Sequence, residues 1–291
     1  METIPTHRPY RTRTWVLFAA EAPVAVILRR RPRKAFRLIR WNLRPDTFEP
    51  GQWLGGDVKL CDLSADGLKL LCFVAQRHRA GLIARCRLRA AFDPLHDNPV
   101  AALPKNRKYR RVPRYLRADP KTGGGIPRAP SDTWTALSMP PYFTALAVWP
   151  AVGTWTGGGV FVGKTDIVLF ENESGLTPIA NVPMPTAWRV RPPRADDQRL
   201  VRSADAPAYG PAAPGVAETW AALVTAGAPN LDWLAVHADG DLLFANDGAV
   251  YRVREWRRLK AADLLAHARQ LIDLNDMRFE QMAPSEDALR W

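Results

Sequence analysis

Three Asp-Gly turns, each set between short apolar runs, constrain this chain more than any other feature. In residues 61–75, Asp66-Gly67 divides Cys61-Asp62-Leu63-Ser64 from Leu70-Leu71-Cys72-Phe73-Val74-Ala75. Gly67 reaches positive φ at no steric cost, and Asp66 tolerates left-handed geometry and can cap its own backbone, so the pair specifies a tight turn between two strands. The phrase returns at Asp239-Gly240, between Trp233-Leu234-Ala235-Val236 and Leu242-Leu243-Phe244. A third turn, Asn246-Asp247-Gly248, precedes Ala249-Val250-Tyr251-Arg252-Val253. Hairpins therefore build both ends of the chain.

The remaining strand signals agree. Runs at 15–20, 23–29 and 35–41 are separated by turn chemistry at Ala22-Pro23 and Arg31-Pro32-Arg33. Runs at 134–138, 143–149, 159–162 and 166–170 are aromatic and β-branched, with weaker candidates at 82–88 and 188–190. Residues 44–56, with Pro45, Pro50 and three glycines, read as a loop. A short helix is expected near 216–225. Leu259, Ala262, Leu264, Leu265, Ala268, Leu271 and Ile272 recur at helical spacing, which predicts a C-terminal amphipathic helix over 259–274.

β units without long helical crossovers favour antiparallel sheet in a propeller, sandwich or barrel. The repeated phrase favours the propeller. Asp62-Leu63-Ser64-Ala65-Asp66-Gly67-Leu68-Lys69-Leu70-Leu71-Cys72-Phe73 resembles the strand-turn-strand phrase of Tol-type and WD-repeat-like β-propellers, and Ala238-Asp239-Gly240 with Leu242-Leu243-Phe244 resembles a second copy. The resemblance covers two short stretches and implies a scaffold. Blades of WD-repeat propellers recur at about 40 to 45 residues, a period that the two long Pro-rich segments of this chain interrupt. The expectation is thus a mainly β fold, an irregular propeller-like set of antiparallel sheets with long loops and a C-terminal helix. At 291 residues and 47% hydrophobic content, it is expected to form one domain.

Several function classes can be weighed from the same residues. Gly158, Gly163, Lys164 and Thr165 match the phosphate-cradling pattern G-x-x-x-x-G-K-[ST]. That mechanism needs a helix after the threonine, whereas strand-like residues occupy the loop and follow it, so a hairpin turn and no nucleotide site is the expectation. Gly123-Gly124-Gly125 reads as a loop. Histidines 7, 78, 96, 237 and 267 have no metal-ligand spacing, and no serine sits in a G-x-S-x-G elbow, so no metal, cofactor or triad is expected, although His96 with Asp97 could serve acid-base chemistry. Asp62 and Asp66 could hold a hard cation, but turn-fixing and backbone capping are the preferred roles. Trp134, Trp149, Trp155, Tyr142 and Phe143 are expected to pack the core.

Charge widens the choice of partner. The balance of 41 Lys plus Arg against 29 Asp plus Glu gives +12. The most basic stretch, Lys105, Arg107, Lys108, Tyr109, Arg110, Arg111 and Arg114, interleaves cations with tyrosines, a composition that can bind a phosphate backbone and stack on bases. A solvated loop over 92–130 is the preferred reading. Cys61, Cys72 and Cys86 are too few and too irregular for a disulfide framework, which fits free thiols in a reducing, cytoplasmic setting. Residues 15–28 are apolar behind a basic start, as in a signal peptide, but Glu21 and Pro23 interrupt them and two strands are preferred. No apolar run reaches the length of a membrane span. A non-catalytic binding or scaffold module for a protein partner is therefore expected. A hydrolase with carboxylates in a central cleft, and nucleic-acid binding through 105–115, stand as alternatives.

Overall fold

A computed structural model describes residues 11–31, 35–75, 133–151, 157–170, 176–180, 183–194, 197 and 216–291. Its strands form four sheets taken in chain order. The first is a meander of β1 (Arg13–Phe18), β2 (Val24–Arg31), β3 (Ala35–Asn42) and β4 (Thr47–Gly55). The second is a meander of β5 (Asp57–Leu63), β6 (Leu70–Ala75), β7 (Thr133–Ser138) and β8 (Ala147–Ala151). The third orders β9 (Gly158–Val162), β10 (Asp166–Phe170) and β11 (Arg189–Arg191) with β10 central. After helix α1 (Val216–Thr225), the fourth runs β12 (Leu231–Val236), β13 (Leu242–Asn246), β14 (Ala249–Val253) and β15 (Arg269–Asp273). All pairs between these strands are antiparallel except β10 with β11.

The sheets stack face to face, and the alternation of strand side chains shows how. In β2, Ala25 and Ile27 join Trp233, Leu243 and Ala245 of the fourth sheet, while Val26 and Leu28 join Val58, Leu70 and Cys72 of the second. In β6, Leu70, Cys72 and Val74 face the first sheet, while Leu71, Phe73 and Ala75 pack with Ile167 and Leu169 of the third. In β13, Leu243 and Ala245 face the first sheet, while Leu242 and Phe244 pack with Leu223 of α1. The order is therefore α1, fourth, first, second and third sheet. Central strands buried on both faces must be apolar at every position, which is why β2 opens on Val24-Ala25-Val26-Ile27-Leu28 and β6 is apolar throughout. Burying each large side chain in these interfaces contributes about 1.5–3 kcal/mol.

The Asp-Gly turns form as expected. Asp66 Oδ1 accepts hydrogen bonds from the Ser64 hydroxyl (2.6 Å) and the Leu68 N–H (2.9 Å), with Gly67 at φ 73°. Asp247 and Gly248, at φ 49° and 77°, make the two-residue turn between β13 and β14. Residues 15–28 supply β1 and β2, and 216–225 form α1.

Three expectations are corrected. Residues 44–56 are not a loop, since 47–55 form β4, an edge strand in which Pro50 lies opposite Ile39 beside a register shift; an edge position tolerates a residue without an N–H. The strand expected at 143–149 starts only at Ala147. The C-terminal helix over 259–274 is absent: a 3₁₀ turn at Ala261–Asp263 leads into β15, which pairs with β14. The apolar residues there serve two cores. Leu264, with Leu259, Leu265 and Ala268, packs under α1, whereas Leu271 and Ile272 pack between the first and fourth sheets. Their spacing imitates a helix, but pairing along β14 satisfies backbone groups that an open edge leaves unpaired. Among the described residues no helix is long and apolar enough to cross a membrane.

Candidate functional site

Most of the sequence-derived candidates lie outside the described residues. Lys105, Arg107, Lys108, Tyr109, Arg110, Arg111 and Arg114 lie outside the described residues, as do His7, His78, His96, Cys86, Gly123-Gly124-Gly125, Trp155 and the strand expected at 82–88. Gly158 begins β9, Gly163, Lys164 and Thr165 form the turn, and the chain continues as β10 antiparallel to β9 with no helix after Thr165. Gly158 answers a packing need: at φ 129°, a Cβ there would lie 2.9 Å from the Cys61 Sγ.

Several of the described acids tie elements together. Asp62 accepts from its neighbour Leu63 N–H (2.9 Å) and from Phe161 N–H (2.7 Å), joining β5 to β9; burial pushes its carboxyl up to about 6 against those two bonds. Asp232 accepts from Arg11 (2.7 Å) and from the Thr14 amide (2.8 Å) and hydroxyl (3.0 Å), joining β12 to β1. Asp46, Asp239 and Asp241 do converge, but on the guanidinium of the buried Arg252. Its Nη1 donates to Asp241 (2.9 Å) and Asp239 (3.2 Å), and its Nη2 donates to Asp46 (2.8 Å) and the Leu43 carbonyl (3.0 Å). Asp46 also accepts from Arg269 (2.6 Å). This network fastens the β3–β4 turn to the fourth sheet. Among the described residues no three His, Cys, Asp or Glu side chains are placed to hold a metal ion. Cys61 and Cys72 are buried, and desolvation pushes both thiols up, Cys61 to about 11. Trp149 is a core residue whose indole donates to the Leu176 carbonyl (3.0 Å).

One polar cluster is different, and sequence reading missed it. The β2–β3 register sets Arg29 opposite Arg37, and the β3–β4 register sets Arg37 opposite Trp53. The guanidinium carbons of Arg29, Arg37 and Arg31 lie 5.4, 5.4 and 5.7 Å from the Trp53 ring centroid. Arg29 and Arg37 are only 1% and 5% exposed. Arg29 Nη2 donates to the Asn275 carbonyl (2.8 Å), while its Nε and Nη1 and the Trp53 Nε1 are buried without a hydrogen-bond partner. Arg37 Nε donates to the Gly51 carbonyl (3.1 Å), and its Nη2 lies 3.8 Å from the exposed Glu280. Phe279 packs on Trp53 at 5.9 Å, and the Gln52 side-chain amide holds the Met282 carbonyl (2.9 Å), so residues 275–282 lie across the cluster. Burial first, then repulsion from Arg31 and Arg37, lowers Arg29 to about 10. The legible signal was the period: Arg29 and Arg31 continue the inward face of Ala25 and Ile27 at alternate positions.

No protein-family model, curated protein or solved structure matches this chain.

Proposed function

We propose that the chain is a non-catalytic binding module with a protein partner, built on an irregular propeller-like scaffold. The observation that carries this reading is the disposition of the acids. A carboxylate hydrolase needs two acids free to meet substrate, yet the three that converge here, Asp46, Asp239 and Asp241, are all bound to Arg252. The blade reading draws support from successive meanders stacked face to face and from packing of the opening strands, β1 against β5 and β12, and β5 against β9.

The test is purification of the tagged full-length chain from its native cells, followed by reconstitution with the recombinant partner that is recovered. A saturable complex, with the partner unchanged in intact mass after prolonged incubation, is the expected result. A cleaved or modified partner, with turnover lost in Asp241→Asn, overturns the non-catalytic reading. Recovery of nucleic acid in place of protein, abolished by Lys108→Glu with Arg110→Glu, transfers binding to the basic segment and overturns the protein partner.

A further inference from the structure

In the Arg29, Arg31, Arg37 and Trp53 cluster, two buried guanidinium groups, those of Arg29 and Arg37, donate to backbone carbonyls and to no described carboxylate. Three guanidinium groups surround one indole, and among the described residues only one carboxylate, Glu280, comes within 4.0 Å of any of them. At 3.8 Å from Arg37, and with its own side chain 68% exposed, Glu280 is a weak counter-ion. Asp273 and Asp276 act on Arg29 from farther away. The ring faces attract the cations but offer no hydrogen-bond acceptor to Arg29 Nε and Nη1. A buried donor left unpaired costs about 1–3 kcal/mol, and this site keeps three, counting the Trp53 indole N–H.

We infer that Arg29, Arg31, Arg37 and Trp53 form a binding site for a phosphate-class oxyanion, seated against the first sheet beneath residues 275–282. Arg29 Nε and Nη1 are left without an acceptor, and a phosphate group, with a charge of about −1.5 to −2 at neutral pH and several acceptor oxygens, supplies what these donors lack. Guanidinium groups pair with phosphate through two parallel N–H bonds, and Arg29, Arg31 and Arg37 all stand beside the same indole ring. The covering segment leaves a route. Residues 277–285 carry no regular structure, Phe279 is 66% exposed, and the incoming oxyanion takes the place of Glu280 beside Arg37. The site lies in the first sheet, away from the basic stretch at 105–115 in sequence, and stands whether or not a protein partner is found.

The experiment is calorimetric titration of the full-length protein with inorganic phosphate at low ionic strength, with glycerol phosphate and acetate as parallel arms. One saturable site is expected, weakened about tenfold or more in Arg31→Gln and in Arg37→Gln, as for loss of one charge-assisted contact. Glu280→Gln tightens it, because a competing carboxylate is removed. Binding of both phosphates assigns the phosphoryl group itself, and binding of only one assigns the free ion or the ester. Should Arg37→Gln fail to fold, Arg31→Gln and the exposed Glu280→Gln carry the comparison. The inference is overturned by absence of saturable binding or by acetate binding as tightly as phosphate. Affinity unchanged in Arg31→Gln, or lost only in Lys108→Glu with Arg110→Glu, overturns it equally.

Discussion

Asp62 accepts one hydrogen bond within β5 and one from β9, and burial still pushes its carboxyl from 3.8 up to about 6. The folded protein therefore holds this proton more tightly than the unfolded chain. The stability that the group contributes is full below about pH 4 and is lost as pH rises through about 6. The loss is at most about 3 kcal/mol, since each tenfold change in proton affinity is worth about 1.4. Urea unfolding should show Asp62→Asn gaining on the natural chain between pH 4 and pH 6, then holding a constant offset; an offset that does not change with pH refutes the assignment. The sequence suggested a turn-fixing or backbone-capping role for this acid, but it lies in β5 and Asp66 fixes the turn. The tie of Asp62 to Phe161, 99 positions away, was not legible, because a side chain that bonds a backbone N–H on another sheet leaves no local trace. Arg252 was hidden for the same reason: its partners come from residues 43–46 and 239–241.

Among elements, the hairpins separate turn strain from packing. A left-handed residue other than Gly costs about 1–2 kcal/mol wherever it stands. Gly240 has φ 91° and nothing within 4 Å of an added Cβ, so Gly240→Ala should cost that strain alone. Gly67 has Val24 Cβ at 2.8 Å, on a side chain branched and stiff at that atom, and Gly248 has Thr12 Cβ at 2.8 Å and Asn275 Oδ1 at 2.6 Å. Chemical denaturation should rank Gly67→Ala and Gly248→Ala well above Gly240→Ala in lost stability; equal losses refute the close packing of these turns. All three turns were legible because Asp-Gly chemistry is local. β4 and β15 were not. Pro50 and the helix-like spacing of 259–272 argued against strand in each segment, and the open edges of β3 and β14 overrode both.

At the scale of the molecule, Cys72 lies between the first and second sheets and Cys61 between the second and third. Neither thiol can react until an interface opens. In a Cys86→Ser variant, a thiol reagent should modify both remaining cysteines at one slow rate equal to global unfolding followed by tryptophan fluorescence. A fast phase for one thiol shows that its interface opens alone and refutes a single cooperative stack.

By itself the sequence determined the β class, the Asp-Gly turns, α1 and most strand positions, because these depend on local backbone preference and on apolar residues near one another in the chain. Tertiary structure alone decided which face meets which. The doubly buried strands β2, β6 and β13 carry no alternation that distinguishes their two sides, so the stacking order arises only when the sheets pack. It also decided the site: Arg29, Arg31, Arg37 and Trp53 belong to three strands, and the register between those strands, a property of backbone pairing, brings their charges round one ring.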